Sequence, residues 1–259
     1  MIKTGYRLLQ VDTTNTASQI VFAGIRFALA GLFVLIFASI QEKKVTLPDG
    51  KILKYAVPVC LAQTVGQYFF FYIGVAHTSG VKGGIITGLG NFIAILMSCL
   101  IVRNEKLTGR KLTGCILGFA GVVVINLLGN SLDFGFTMMG EGFVLISQLA
   151  YATSTILINY YSKKVSPVIL SGTQFFIGGI VLFLIGNAMG GHLDHVTIGG
   201  ITVVLYLALV SAVAYTLWSA LVLGEVKQAF NIGSLIALAL VCVGIYIVNA
   251  RKNNKSNVE

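Results

Sequence analysis

Long apolar runs separated by short polar gaps dominate the chain, and two of them, 22–40 and 232–248, are almost unbroken. A helix needs about 20 apolar residues to cross bilayer hydrocarbon. Windows of that size give eight candidate spans, near 17–40, 55–76, 78–102, 112–128, 142–161, 165–189, 196–223 and 229–250. A membrane β-barrel would instead alternate apolar and polar residues in runs of about ten. The pattern therefore predicts an all-α integral membrane protein, a multi-span helical bundle.

The gaps orient the spans. Lys43, Lys44, Lys51 and Lys54 follow the first span, Arg103, Lys106, Arg110 and Lys111 the third, and Lys163 and Lys164 the fifth. Two crossings separate each gap from the next, so all three share one side, the cytoplasmic side by the positive-inside rule. The gaps 129–140 and 190–195 hold no Lys or Arg and carry Asp133 and Asp194, as exported loops should. Strict alternation over eight spans then places Lys3, Arg7, Arg251, Lys252 and Lys255 outside, against the same rule.

Composition agrees with burial in lipid: 56% of the 259 residues are hydrophobic, 10% are charged, and the mean hydropathy is +0.88. Most of the Lys and Arg residues behind the net charge of +9 sit in short gaps between spans, where they orient helices, so nucleic acid is excluded as a partner. Cys60, Cys99, Cys115 and Cys242 all fall in apolar runs without metal or redox spacing. The first apolar run is too long for a signal-peptide core and lacks a small-residue cleavage pattern, so it is expected in the mature protein.

The two halves repeat weakly. Arg26-Phe27-Ala28-Leu29-Ala30-Gly31 matches Gln174-Phe175-Phe176-Ile177-Gly178-Gly179 at an offset of 148 positions (26 to 174), and Gln67-Tyr68 matches Ala214-Tyr215 at 147 (68 to 215). Glu105 matches Glu225 at only 120 (105 to 225), and Gly121-Val-Val-Val-Ile-Asn126 matches Gly244-Ile-Tyr-Ile-Val-Asn249 at 123 (121 to 244). The drop is about one membrane span. It predicts that the second half lacks a counterpart of span 78–102 near residue 222. The first half has only the stub Tyr6-Arg7-Leu8-Leu9-Gln10-Val11 where span 142–161 stands in the second. Restoring both spans gives five plus five helices, returns both basic termini to the cytoplasm, and makes the halves an inverted repeat. The expected units are 1–130, 138–250 and a basic tail 251–259.

The chain resembles the drug/metabolite transporter superfamily, EamA type. The carrying residues are Arg26-Phe27 with small residues one turn on, Thr78-Ser79-Gly80-Val81-Lys82, Asn104-Glu105-Lys106-Leu107-Thr108, and Leu223-Gly224-Glu225 followed by the 244–249 motif. The resemblance implies a ten-helix inverted-repeat permease for metabolites, amino acids or amphipathic drugs, here without the family's first and ninth helices. Its implied place is the cell's inner (plasma) membrane, multi-pass. A non-transporting remnant of such a permease is the alternative, and a membrane enzyme on lipid-linked substrates a third class.

Charged and polar residues inside spans are expensive and mark candidate sites. Arg26 lies deep in its span and serves either to cap helix carbonyls or to bind an anionic substrate. Lys82 stands near a span end, where snorkelling to the interface competes with function. Gln63, Gln67, Tyr68, Asn91, Gln148, Tyr151, Gln174, Tyr215 and Trp218 are the remaining candidate substrate-binding residues, with inter-helix hydrogen bonding or, for Trp218, interface anchoring as the alternatives. Gly80, Gly84 and Gly88 recur every fourth residue, a pattern for close helix packing. His192 and His195 suggest loop residues rather than a metal pair. No catalytic cluster, metal set or cofactor motif is expected; the expected partners are the bilayer, a small-molecule substrate and, as a candidate, a second copy of the chain.

The three basic gaps yield a testable topology. In a Cys-free background, single cysteines placed at 44, 106 and 163 are expected to react with impermeant maleimide only in inside-out vesicles. Labelling of any one of them from outside overturns the assignment.

Overall fold

The computed structural model describes residues 6, 9, 11, 15–41, 48–101, isolated positions between 108 and 120, 135–193 and 197–222, with side chains at 41 and 215–222 excepted. Six long helices follow in order: α1 (Thr16–Gln41), α2 (Gly50–Ala76), α3 (Gly80–Ile101), α4 (Met138–Ser162), α5 (Pro167–Ala188) and α6 (Ile198–Val222). The first five are long and apolar enough to cross a bilayer, and α6 is apolar over Ile198–Ala214. No strand occurs among the described residues. Six of the eight expected spans thus appear as helices, while 229–250 and most of 112–128 lie outside the described residues.

The helices start and stop where local chemistry dictates. The Asn15 side chain accepts from the Ala17 and Ser18 amides at 3.0 and 3.3 Å, satisfying donors that the first turn leaves open. Asp49 does the same for Ile52 at 2.8 Å, which starts α2 five residues earlier than the hydropathy alone predicts. Pro167 opens α5, where its missing N–H costs nothing. Gly190, at φ 81°, ends α5, and the Gly191 amide donates back to the Gly186 carbonyl at 2.9 Å.

The tightest contact in the bundle is the antiparallel seam between α1 and α5. A methyl group on Gly24 would strike the backbone of Gly179 and Phe183, one on Gly31 the backbone of Gly172 and Phe176, and one on Gly186 the backbone of Val21. Ala17, Gly24 and Gly31 on α1, and Gly172, Gly179 and Gly186 on α5, each recur every seventh residue. That period keeps one stripe of small residues facing the partner along the whole span. Midway along the seam Phe27 and Phe175 stack, with centroids 5.6 Å apart and planes 10° from parallel. These two phenylalanines are the residues that the 148-residue offset makes counterparts.

α2 lies between this pair and α4. Its Thr64 and Cys60 abut Gly178 of α5, its Tyr68 packs on Phe27 at 4.3 Å, and its Gly74 admits Val144 and Gly140 of α4. Pro58 cannot donate to the preceding turn, and the helix continues through a wider π-helical stretch, Cys60–Gln67, where Gly66 lies against the Leu61 carbonyl. α3 runs parallel to α4, with Gly90 against Gln148. α6 covers α1 through Val204 and Leu207, which cluster with Phe22 and with Tyr6, Leu9 and Val11.

Tyr55 meets Tyr161 at 4.9 Å, so the Lys51–Lys54 and Lys163–Lys164 gaps share one end of the bundle, as their charge parity predicts. At that end the Tyr160 hydroxyl accepts from Lys164 at 3.0 Å and holds its ammonium above the ordinary lysine range. Ser18, whose hydroxyl accepts from the His192 amide at 3.2 Å, sits at the opposite end.

At the first member of the α3 glycine stripe, no described residue lies within 4 Å of where a Gly80 side chain would start. The seven-residue stripe on α1 and α5 does form a packing seam. Gly179→Ala is expected to destabilise the folded protein by about 3 kcal/mol, because its methyl group meets backbone and the helices must separate. Gly80→Ala is expected to be neutral within about 1 kcal/mol. Chemical unfolding in detergent micelles measures both, and equal stability of the two variants would refute the seam.

Candidate functional site

Lipid cannot hydrogen-bond a polar side chain, so each such group in a span must find a partner inside the bundle. The described residues form three buried or half-buried polar groupings and one charged grouping at a bundle end.

The first lies between α2 and α5. Thr64 Oγ1 donates to Gln174 Oε1 at 2.7 Å, and Gln174 Nε2 donates to Gln63 Oε1 at 3.1 Å. All three residues are fully enclosed. The widened turns of α2 present Gln63 and Thr64 together toward α5. Gln67, one turn on, keeps a buried Oε1 without a partner, as does the Thr173 hydroxyl next to Gln174.

The second lies between α3 and α4. Gln148 is buried beside Gly90 and donates to Ser147 Oγ at 3.0 Å. Tyr151 donates to Asn91 Oδ1 at 3.2 Å, where Asn91 is exposed among the described residues rather than enclosed. Asn91 and Tyr151 therefore form a pair separate from Gln63 and Gln174.

The third surrounds Arg26. Its residue is 7% exposed, its guanidinium lies 4.4 Å from the centre of the Phe27 ring, and its Nε has no hydrogen-bond partner among the described residues. Tyr6 and Tyr72 lie next to it, with Tyr6 close enough to feel the arginine charge. Tyr6 also packs edge-on against Phe22, one turn before Arg26. Tyr68 borders this group through Phe27. The side chains of Tyr215 and Trp218 lie outside the described residues.

The charged grouping joins α3 to the start of α4. Lys82 does not snorkel outward: its Nζ lies 3.3 Å from Glu141 Oε1 and donates to the Gly135 carbonyl. Glu141 Oε1 also accepts from Thr78 Oγ1 at 2.6 Å, and Oε2 accepts from the Thr137 amide and hydroxyl at 2.7 and 2.8 Å. In an ordinary capping box the acid stands three residues after the cap. Here the first turn, Met138–Gly142, is π-helical, so the acid that accepts from the cap's amide stands four residues on, and the Thr137 hydroxyl donates to that acid as well. Sequence reading missed this pairing because Thr137 and Glu141 do not have the usual spacing and Lys82 comes from another helix. Tyr6 and Thr64 were missed as well, the first in a short stub and the second with nothing to separate it from ordinary span threonines.

The ion pair makes a measurable prediction. Lys82→Met is expected to cost about 3 kcal/mol, since it leaves Glu141 charged and largely enclosed. In a Glu141→Gln background the same substitution should cost much less. Equal costs in the two backgrounds, read from a double-mutant cycle of unfolding free energies, would show that the pair carries no coupling.

Comparison with known proteins places this arrangement. The EamA-like transporter family matches residues 5–127 and again 138–251. The uncharacterized transporter YetK of Bacillus subtilis (strain 168) is 26% identical, over 89% of this chain and 78% of that protein. An uncharacterized transporter of Acidianus ambivalens, in the sor 3' region, is 24% identical over 92% of this chain and 96% of its own length. The WAT1-related protein At3g02690, chloroplastic, of Arabidopsis thaliana is 23% identical over 90% of this chain, which spans 63% of it. A solved crystal structure shares the fold, with a TM-score of 0.58 at 16% identity, covering 94% of this chain and 95% of that one. With both matched stretches together spanning nearly the whole sequence, and with its apolar helices built as described, the chain belongs to the EamA-like transporter family, within the drug/metabolite transporter superfamily.

Proposed function

We propose that this chain is a multi-pass permease of the cell's inner (plasma) membrane that carries small organic solutes through the polar interior of its bundle. The observation that carries the reading is the enclosed Arg26 with an unpartnered Nε, in a chain of transporter-family helices. Such a group is costly in a bilayer and is retained where it faces a pathway. Gln67, also with an unpartnered buried oxygen, supports the same reading, whereas Gln63, Gln174 and Thr64 are satisfied by one another and act as inter-helix ties.

The antiparallel seam supports an inverted repeat with units near 1–130 and 138–250. Counterpart residues Phe27 and Phe175 meet at its midpoint, as a two-fold axis between inverted halves requires. Rocking of the halves about that axis would expose the interior alternately to the two sides.

A second reading, a remnant that no longer transports, is favoured by one observation: the repeat offset falls from 147 to 120 (68 to 215, then 105 to 225). Proteoliposomes separate the two. Uptake of amino acids, organic acids and amphipathic cations is measured for this chain and for a version carrying a copy of residues 77–104 before Leu223. Uptake of any class by this chain above empty liposomes establishes the permease. Uptake by the grafted version alone establishes the remnant, and no uptake by either overturns the permease reading.

A further inference from the structure

The repeat offers an internal control for Arg26. Its counterpart 148 positions on (26 to 174) is Gln174, which ties α5 to α2 through Thr64 and Gln63 without any charge. An amide at this position is therefore sufficient for joining helices. A guanidinium is expensive to hold at that depth, and here its Nε has no partner among the described residues. Joining helices does not account for it.

The surroundings narrow what would complete it. The carboxylates among the described residues are Asp49, which caps α2 at the other end of the bundle, and Glu141, which is held by Thr78, Thr137 and Lys82. Neither neutralises Arg26. The guanidinium edge carrying Nε presents two parallel donors, Nε–H and one Nη–H, which match the two oxygens of a carboxylate side-on. The remaining neighbours are aromatic: Phe27 under the guanidinium, with Phe22, Tyr6 and Tyr72 beside it. Among the described residues no second cation joins this group, so one negative charge balances it and a dianion would leave charge uncompensated in low dielectric.

We propose that Arg26 is the anchor for the carboxylate of a small amphipathic monocarboxylic acid, whose apolar body lies on the side of Tyr6 and Tyr72, the Phe22 and Phe27 rings being fully enclosed by protein. The proposal rests on the permease reading and assigns its substrate class.

Binding to purified protein in nanodiscs tests it with matched pairs: phenylacetate against phenylacetamide, and hexanoate against hexanamide, by isothermal titration calorimetry. In each pair the acid is expected to bind at least 10-fold more tightly than the amide. Arg26→Gln, which places there the residue that the second repeat carries, is expected to abolish that preference while the protein still elutes as a single species. Arg26→Lys, which keeps the charge and loses the side-on fork, is expected to retain only part of it. The proposal is overturned if neither acid binds, if acid and amide bind the unmodified protein equally, or if Arg26→Gln keeps the acid preference. The unmodified-protein comparison decides the matter even if Arg26→Gln fails to fold. Uptake measured on the same pairs keeps the two readings apart: uptake of amides but not acids leaves the permease standing and removes this site. Arg26-dependent acid binding without uptake does the reverse.

Discussion

The backbone-close seam of α1 and α5 is the constraint on which the rest of the bundle depends. Between lipid-soluble helices there is no hydrophobic driving force, so association relies on van der Waals contact and inter-helix hydrogen bonds. Small residues, alanine or glycine, at every seventh position of both helices bring backbone against backbone over the length of the span. With that distance set, the Phe27–Phe175 stack, the docking of Tyr68 on Phe27, and the position of α2 beside Gly178 all follow. Arg26 is held next to Phe27 on the rigid side of this seam, with no carboxylate partner among the described residues.

Polar residues in the spans divide by how completely their valences are filled. Gln174, Gln63 and Thr64 close on one another, and Gln148 closes on Ser147. These ties cross or brace helices in a solvent that offers no alternative partner. Arg26, Gln67 and Thr173 each keep one buried atom open. The distinction is one of geometry, since all are polar residues in apolar helices and look alike in composition.

Charge at the bundle ends has a different task. Lys82 and Glu141 join α3 to the widened first turn of α4, and Glu141 doubles as the cap of that turn through Thr137. The extra residue in the π turn moves the acid to the fourth position after the cap, where it reaches Thr78 and Lys82 as well. One local change in helix pitch thus converts a capping residue into a link between two spans. The π stretch of α2 acts similarly, presenting Gln63 and Thr64 to α5 while Gly66 lies near Ala150 of α4.

The sequence by itself determined the fold class, the six helices seen, and the shared end of the Lys51–Lys54 and Lys163–Lys164 gaps, because bilayer thickness and charge asymmetry act on single segments. It also pairs Phe27 with Phe175 at an offset of 148 positions (27 to 175), and these two rings stack in the structure. Helix pairing was beyond it: Gly80 and Gly24 are equally small, and only the assembled bundle shows that the first has open space and the second meets α5 backbone. The roles of Gln63, Gln174 and Lys82 were likewise decided by tertiary structure. A hydrogen bond or ion pair between distant segments depends on the rotation of each helix about its axis, and spans that are apolar nearly all round carry no periodic signal of that rotation.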